Sequence, residues 1–192
     1  MAQYELTTGE LRSRIPDLRA GDRVLLSGTV YTSRDAAHKR IFALLDECGE
    51  LPYPLKDAVI YYAGPTPGKD GMPVGACGPT TSSRMDGFAP RLYDLGVAAT
   101  IGKGERSETV REAIVRNGAV YLCAVGGAGA LVARHITAAE EIAFQELGCE
   151  SVKRLTVEAL PLIVTVDAHG GDLFTEGREK YRQTAESGAR FI

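Results

Sequence analysis

Residues 23–49 read RVLLSGTVYTSRDAAHKRIFALLDECG, an apolar run that passes directly into a segment of helical period. The run from Arg23 to Thr32 is rich in Val, Leu, Thr and Tyr and predicts a strand. Beyond Ser33, the apolar residues Ile41, Leu44, Leu45 and Cys48 recur at helical spacing and predict a helix with one face in a core. The alternation then repeats. DAVIYYAGP (57–65), VAATIGKG (97–104) and AVYLCAVGG (119–127) read as buried strands, while RMDGFAPRLYDLG (84–96) and SETVREAIVRNG (107–118) read as helices. YELTT near the start reads as a short edge strand, and SVKRLTVEALPLIVTVDAHG (151–170) as one or two strands. TAAEEIAFQELG (137–148) is expected to be a helix, and AGALVARHI before it has no clear period. Strands alternating with helices predict an α/β fold with a parallel or mixed sheet.

The chain has 192 residues, 44% of them hydrophobic, enough for one substantial core. The net charge of −3 argues against nucleic acid and anionic membranes as bulk partners, since both favour a basic surface. No apolar run approaches the roughly 20 residues that span a bilayer. The first residues are too polar for a secretory signal, so the expected location is cytoplasmic. Cys48, Cys77, Cys123 and Cys149 are widely spaced with no C-x-x-C pair, which gives weak support to an iron–sulfur or zinc site, and most of them read as small buried hydrophobes.

Three cations stand out by position. Arg34 is expected in the first turn of the helix after the Arg23–Thr32 strand, where the helix dipole disfavours positive charge. Arg84 follows the hydroxyl cluster Thr80-Thr81-Ser82-Ser83, expected to cap a helix. Lys103 sits in Gly102-Lys103-Gly104, between a strand and a helix capped by Ser107. Helix N-termini favour anions, and an arginine fork matches a carboxylate. Should the three share one sheet edge, they form a site for a small dicarboxylate. Taken singly, each is better explained by solvation or by pairing with Asp35, Asp86 or Glu105. The glycines of GACGP and GKG tip the balance towards a site, because they mark backbone that something must approach closely. His38 lies four residues after Arg34 on the same helix face, and either binds substrate or packs behind it. His135, His169 and the pair Asp167/His169 read as structural. GGAGAL (126–131) fails the dinucleotide fingerprint at its last position, which Val132 occupies.

GTVYTSRDAAHKR, YYAGPTP, GPTTSSRMDGFAPRL, GVAATIGKG and GAVYLCAVGGAGAL together closely resemble the β-type segment of class I iron–sulfur hydro-lyases, the class I fumarate hydratases and L-tartrate dehydratases. The resemblance runs from about Gly21 to about Phe174. It implies a single three-layer β/β/α swivelling domain over residues 1–192, with 1–20 an N-terminal extension and 175–192 a polar C-terminal tail. It further implies a heterodimer or α2β2 assembly in which a partner α subunit carries a [4Fe–4S] cluster, leaving this chain's four cysteines outside the cluster. The matching site residues are Arg34, Thr80, Arg84 and Lys103, with Thr80 at the reacting carbon. The reaction implied is reversible hydration of fumarate to L-malate, with tartrate dehydration as the alternative. A non-catalytic anion-binding regulatory module is the rival from another class.

Overall fold

In the computed structural model, which describes residues 1–47, 49–69 and 71–182, the Arg23–Thr32 run is a strand and the segment after it a helix, as expected. In chain order the elements begin with β1 (Gln3–Thr7), α1 (Thr8–Arg14), β2 (Arg23–Thr32), α2 (Asp35–Asp46) and β3 (Val59–Tyr61). They continue with α3 (Ala89–Asp94), β4 (Ala99–Gly102), α4 (Glu108–Arg116), β5 (Val120–Cys123) and α5 (Gly129–Ala133). The chain ends with β6 (Ile136–Ala143), β7 (Val152–Val166) and α6 (Leu173–Tyr181). Short 3-10 segments occupy Ile15–Asp17, Ser82–Met85 and Gln145–Glu150.

β1 to β5 pair in parallel in chain order, and β7 returns antiparallel between β5 and β6. β7 also pairs antiparallel with β2 from Arg23/Ile163 to Tyr31/Arg154, so β2, β3, β4, β5 and β7 form a closed circuit. Its 15 residues give β7 the length to serve all three neighbours. The mixed sheet therefore folds over on itself around an apolar interior built from Leu26, Val30, Ile101, Leu122, Leu160 and Val164.

Strand alternation produces the third layer. Val59, Tyr61, Ile101 and Leu122 point into the interior, while Ile60, Tyr62 and Tyr121 point the other way. That outer face is covered by Ala37 and Ile41 of α2, Leu92 and Tyr93 of α3, and Val110 and Ile114 of α4. The layers run β, β, α. Each fully buried Leu, Ile or Val side chain among these contributes about 1.5–3 kcal/mol relative to an exposed one.

Some expectations change. Residues 137–148 are not a helix: Ile136–Ala143 is β6, which places Glu140 opposite Arg154 and Glu141 opposite Lys153. Cross-strand charge pairing and the open edge of β7 override the helix propensity of Ala and Glu. Ala128–Ile136 contains the short helix α5. The helix expected over 84–96 is broken by turn residues at 86–88, and α3 restarts with Pro90 in its first turn, a position proline tolerates. Residues 1–20 are more than an extension: β1 pairs with β2, and Leu11, Ile15 and Leu18 are fully buried in the inter-sheet core. Within the 175–192 tail, α6 runs to Tyr181, and residues 183–192 lie outside the described residues, as does Cys48.

Candidate active site

β2, β3 and β4 are parallel, so their C-terminal ends lie on one edge of the sheet, the edge at which open α/β sheets present ligand sites. Ser33–Arg34 leaves β2 there, Tyr62–Gly64 leaves β3 and Lys103 leaves β4. The long loop after β3 then returns to this edge. Thr80 N donates to Tyr62 O at 2.6 Å, Lys103 N donates to Thr80 O at 3.2 Å, and Ser82 N donates to Lys103 O at 2.9 Å. Thr81 thus bridges Lys103 in parallel, and the loop extends the sheet. Ser82 is fully buried, and its Oγ accepts from Lys103 N at 3.1 Å and Tyr121 Oη at 2.8 Å. A Cβ on Gly102 would lie 1.9 Å from that Oγ, so glycine is what lets the loop dock.

Arg34 occupies the N-cap position of α2 with extended backbone, one residue before the first turn in which it was expected. Its Nη1 donates to Thr80 Oγ1 at 3.3 Å, and its Nη2 to Glu150 Oε1 at 2.8 Å. The other Glu150 oxygen accepts from Ala36 N at 3.0 Å. Glu150 therefore supplies the negative charge expected at this helix end. Arg84 sits at the end of the Ser82–Met85 3-10 segment rather than in a helix's first turn, and forms a two-point pair with Asp35. Lys103 directly follows β4, five residues before α4 begins, and among the described residues it is in no ion pair. Glu105 pairs with Arg178 instead, and Asp86 with Arg106. Gly126 faces Lys103: a Cβ there would stand 3.5 Å from Lys103 Cδ and 4.0 Å from Nζ.

The structure thus gathers Arg34, Thr80, Arg84 and Lys103 through direct contacts and shared backbone bonds. Thr80 is nearly buried, at 8% exposure, under the Arg34 guanidinium. His38 does not join them at the surface. It is fully buried, with Nδ1 2.9 Å from Ser33 Oγ and its ring against Tyr62 and Phe88. Burial holds its pKa down at about 4, so the ring is neutral at neutral pH. Of its two sequence readings, this geometry favours packing behind the site. Ser107 does not cap α4 through its side chain, and its hydroxyl instead meets Thr109.

Sequence reasoning missed Glu150, Ser82 and Arg106. Glu150 lay in a stretch expected to begin after a helix, so no spacing linked it to Arg34. Arg106 has a fully buried side chain that bonds Asp86 at 2.8 Å and Thr100 at 3.2 Å, with Tyr121 and Tyr62 rings on it. A cation after GKG was visible, but its depth was not.

The described residues do not fit an iron–sulfur cluster. Cys77 is buried in the inter-sheet core, where burial pushes its thiol up to about 12, Cys123 donates to Tyr121 Oη at 3.3 Å, and Cys149 is exposed. Among the described residues no group of three His, Cys, Asp or Glu side chains is placed to hold a metal ion. No helix among them is long and apolar enough to cross a membrane. His135 Nδ1 lies 2.9 Å from Glu158 O and His169 Nε2 2.9 Å from Pro16 O, while Asp167 accepts from the Ala20, His169 and Gly171 amides. These are the contacts of structural residues.

The family model described as Fumarase C-terminus matches residues 1–177. Fumarate hydratase 2 of Leishmania major is 36% identical over 169 residues, which is 87% of this chain and 30% of that protein. This chain thus spans less than a third of that relative's length. The putative L(+)-tartrate dehydratase subunit beta of Methanocaldococcus jannaschii is 36% identical over 183 residues, covering 92% of this chain and 94% of that one. The L(+)-tartrate dehydratase subunit beta of Escherichia coli is 33% identical over 183 residues, covering 93% and 90%.

Proposed function

Because the chain belongs to the Fumarase C-terminus family, we propose that it is the β-type part of a hydro-lyase whose reaction is the reversible hydration of fumarate to L-malate. One observation carries the reading: Thr80, Arg34 and Lys103 are held together at the C-terminal ends of parallel strands, with Arg84 tied in through Asp35. This edge offers two-point and single-point recognition of carboxylate around a hydroxyl.

The division of labour follows from chemistry. Arg84 grips one substrate carboxylate with its fork once Asp35 gives way, and Lys103 supplies a compact charge for the other. Holding both ends orients the central carbons for anti addition of water. Thr80 Oγ1 handles the proton at the reacting carbon. A threonine hydroxyl is a weak base, and the Arg34 Nη1 donor at 3.3 Å stabilises the negative charge that proton loss would leave on that oxygen. The residues that hold the [4Fe–4S] cluster belong, in this reading, to a partner α subunit, and no step assigned to this chain passes through the cluster.

Tartrate dehydration is the second reading. What favours it is length: the two tartrate dehydratase β subunits match over nearly their whole chains, whereas the fumarate hydratase matches over 30% of its own. L-Malate and tartrate differ by one hydroxyl. The test is an anaerobic pull-down of the tagged chain from its native lysate, scored for iron and sulfide and for fumarate hydration and tartrate dehydration. A co-purifying iron–sulfur chain with activity supports the reading and chooses the substrate. An iron-free, inactive chain, from a lysate that retains other labile clusters, would overturn it in favour of an anion-binding module.

A further inference from the structure

Glu150 is a carboxylate with two separate tasks. Oε1 accepts from Arg34 Nη2 at 2.8 Å, and Oε2 accepts from Ala36 N at 3.0 Å. The second bond anchors the carboxylate on the backbone of the helix that Arg34 caps, so the first fixes the direction of the guanidinium. The pair is mostly shielded, at 22% and 21% side-chain exposure. The surrounding backbone closes the slot: a Cβ on Gly64 would stand 3.2 Å from Arg34 Cζ and 3.0 Å from Cys149 O.

The consequence for Arg34 is specific. Nη2 is taken by Glu150, Nη1 is at Thr80 Oγ1, and Nε is buried without a partner. Both terminal nitrogens already have protein acceptors and Nε is buried, so two-point binding of a substrate carboxylate by Arg34 would compete with Glu150 or Thr80. Arg84 differs, because its fork is half exposed and its partner Asp35 is exchangeable.

We infer that Glu150 is a positioning residue that dedicates Arg34 to Thr80, so that Arg34 serves the proton-transfer step and Arg84 and Lys103 capture the substrate. This rests on the hydro-lyase reading above and assigns the division of roles within it. Losing the Glu150 charge then costs turnover more than substrate binding, because it frees the guanidinium to leave Oγ1.

The test is Glu150→Gln in the assembled enzyme, with Glu150→Asp as the second variant. Glutamine keeps the shape and can still accept from Ala36 N, but loses the ion pair. Expected is a fall in kcat of about 10- to 100-fold with KM moved by less than about threefold. Glu150→Asp keeps the charge and restores part of the loss. In the full chain alone, arginine side-chain NMR should show the Arg34 guanidinium immobilised, and mobile in Glu150→Gln. An unchanged kcat, a change confined to KM, or an Arg34 signal indifferent to Glu150 would overturn the inference. Absence of hydro-lyase activity in the wild-type assembly would instead overturn the underlying reading, and the NMR outcome would still decide whether Glu150 holds Arg34.

Discussion

The carboxylate of Asp35 takes both donors of the Arg84 fork, Oδ1 from Nε at 3.1 Å and Oδ2 from Nη2 at 2.7 Å. The arginine is 51% exposed, so this pair sits in high dielectric, where such pairs are worth about 0–1 kcal/mol. In the proposed function, a substrate carboxylate can therefore displace Asp35 at small cost. Asp35→Asn removes the competitor and should lower KM for the dicarboxylate by up to about fivefold, with the gain shrinking as salt is raised. Steady-state kinetics at two ionic strengths measure this. A rise in KM would show that Asp35 aims Arg84 rather than competing for it.

Arg84→Lys keeps the charge and loses the fork. With two-point recognition gone, kcat/KM in the assembled enzyme should fall by about 10- to 100-fold. An unchanged kcat/KM would remove Arg84 from the site.

Thr80→Val is near-isosteric and retains the backbone bonds to Tyr62 and Lys103. It removes only the hydroxyl that Arg34 meets, and kcat should drop by about 100-fold or more. Thr80→Ser, which retains the hydroxyl, should stay within about tenfold of wild type. A loss in Thr80→Ser with Thr80→Val near wild type would mean that the methyl group, not the hydroxyl, matters.

Gly102→Ala would drive a methyl group onto Ser82 Oγ, 1.9 Å away, and onto the Tyr62 ring, 3.0 Å away. Overpacking of this kind costs about 1–3 kcal/mol, read as a lower urea midpoint. Adding Ser82→Ala should recover part of the loss, because it removes the atom that is struck.

His38 couples stability to pH. Its pKa is about 4 in the folded chain, below the ordinary 6.5, because burial disfavours the charged ring. The unfolded chain therefore binds a proton that the folded one refuses. Stability is complete above pH 6.5 and is lost as pH falls from there through 4, by on the order of 3 kcal/mol. His38→Gln should flatten that part of the urea-midpoint profile. A profile equally steep in the variant would place the acid sensitivity elsewhere.

Local pattern was enough for most of the fold. The apolar run before Ser33 and the period-3.6 residues after it specify β2 and α2, and the same signals recur at β3, β4, α4 and β5. It failed at 137–148, where Ala- and Glu-rich sequence favours a helix but β7 offers an unpaired edge carrying Lys153 and Arg154. At residues 1–20 it marked the short edge strand, which is β1, but not the burial of Leu11, Ile15 and Leu18 in the inter-sheet core.

For the proposed site, the sequence by itself singled out the candidate side chains: Arg34, Thr80, Arg84 and Lys103 stand out through residue type, glycine neighbours and family resemblance. It could not determine their partners. Asp35 lies 49 positions from Arg84, and Glu150 lies 116 from Arg34. Such contacts exist only once parallel strands bring their C-terminal ends to one edge and the Gln145–Glu150 segment, set beside the end of β2 by the start of β7, brings Glu150 to α2. That closure alone decided that Arg34 is held on Thr80 while Lys103 stays without an ion partner among the described residues. It also placed His38 beneath the site rather than in it, because helix periodicity fixes the face of a side chain but not what is packed over it.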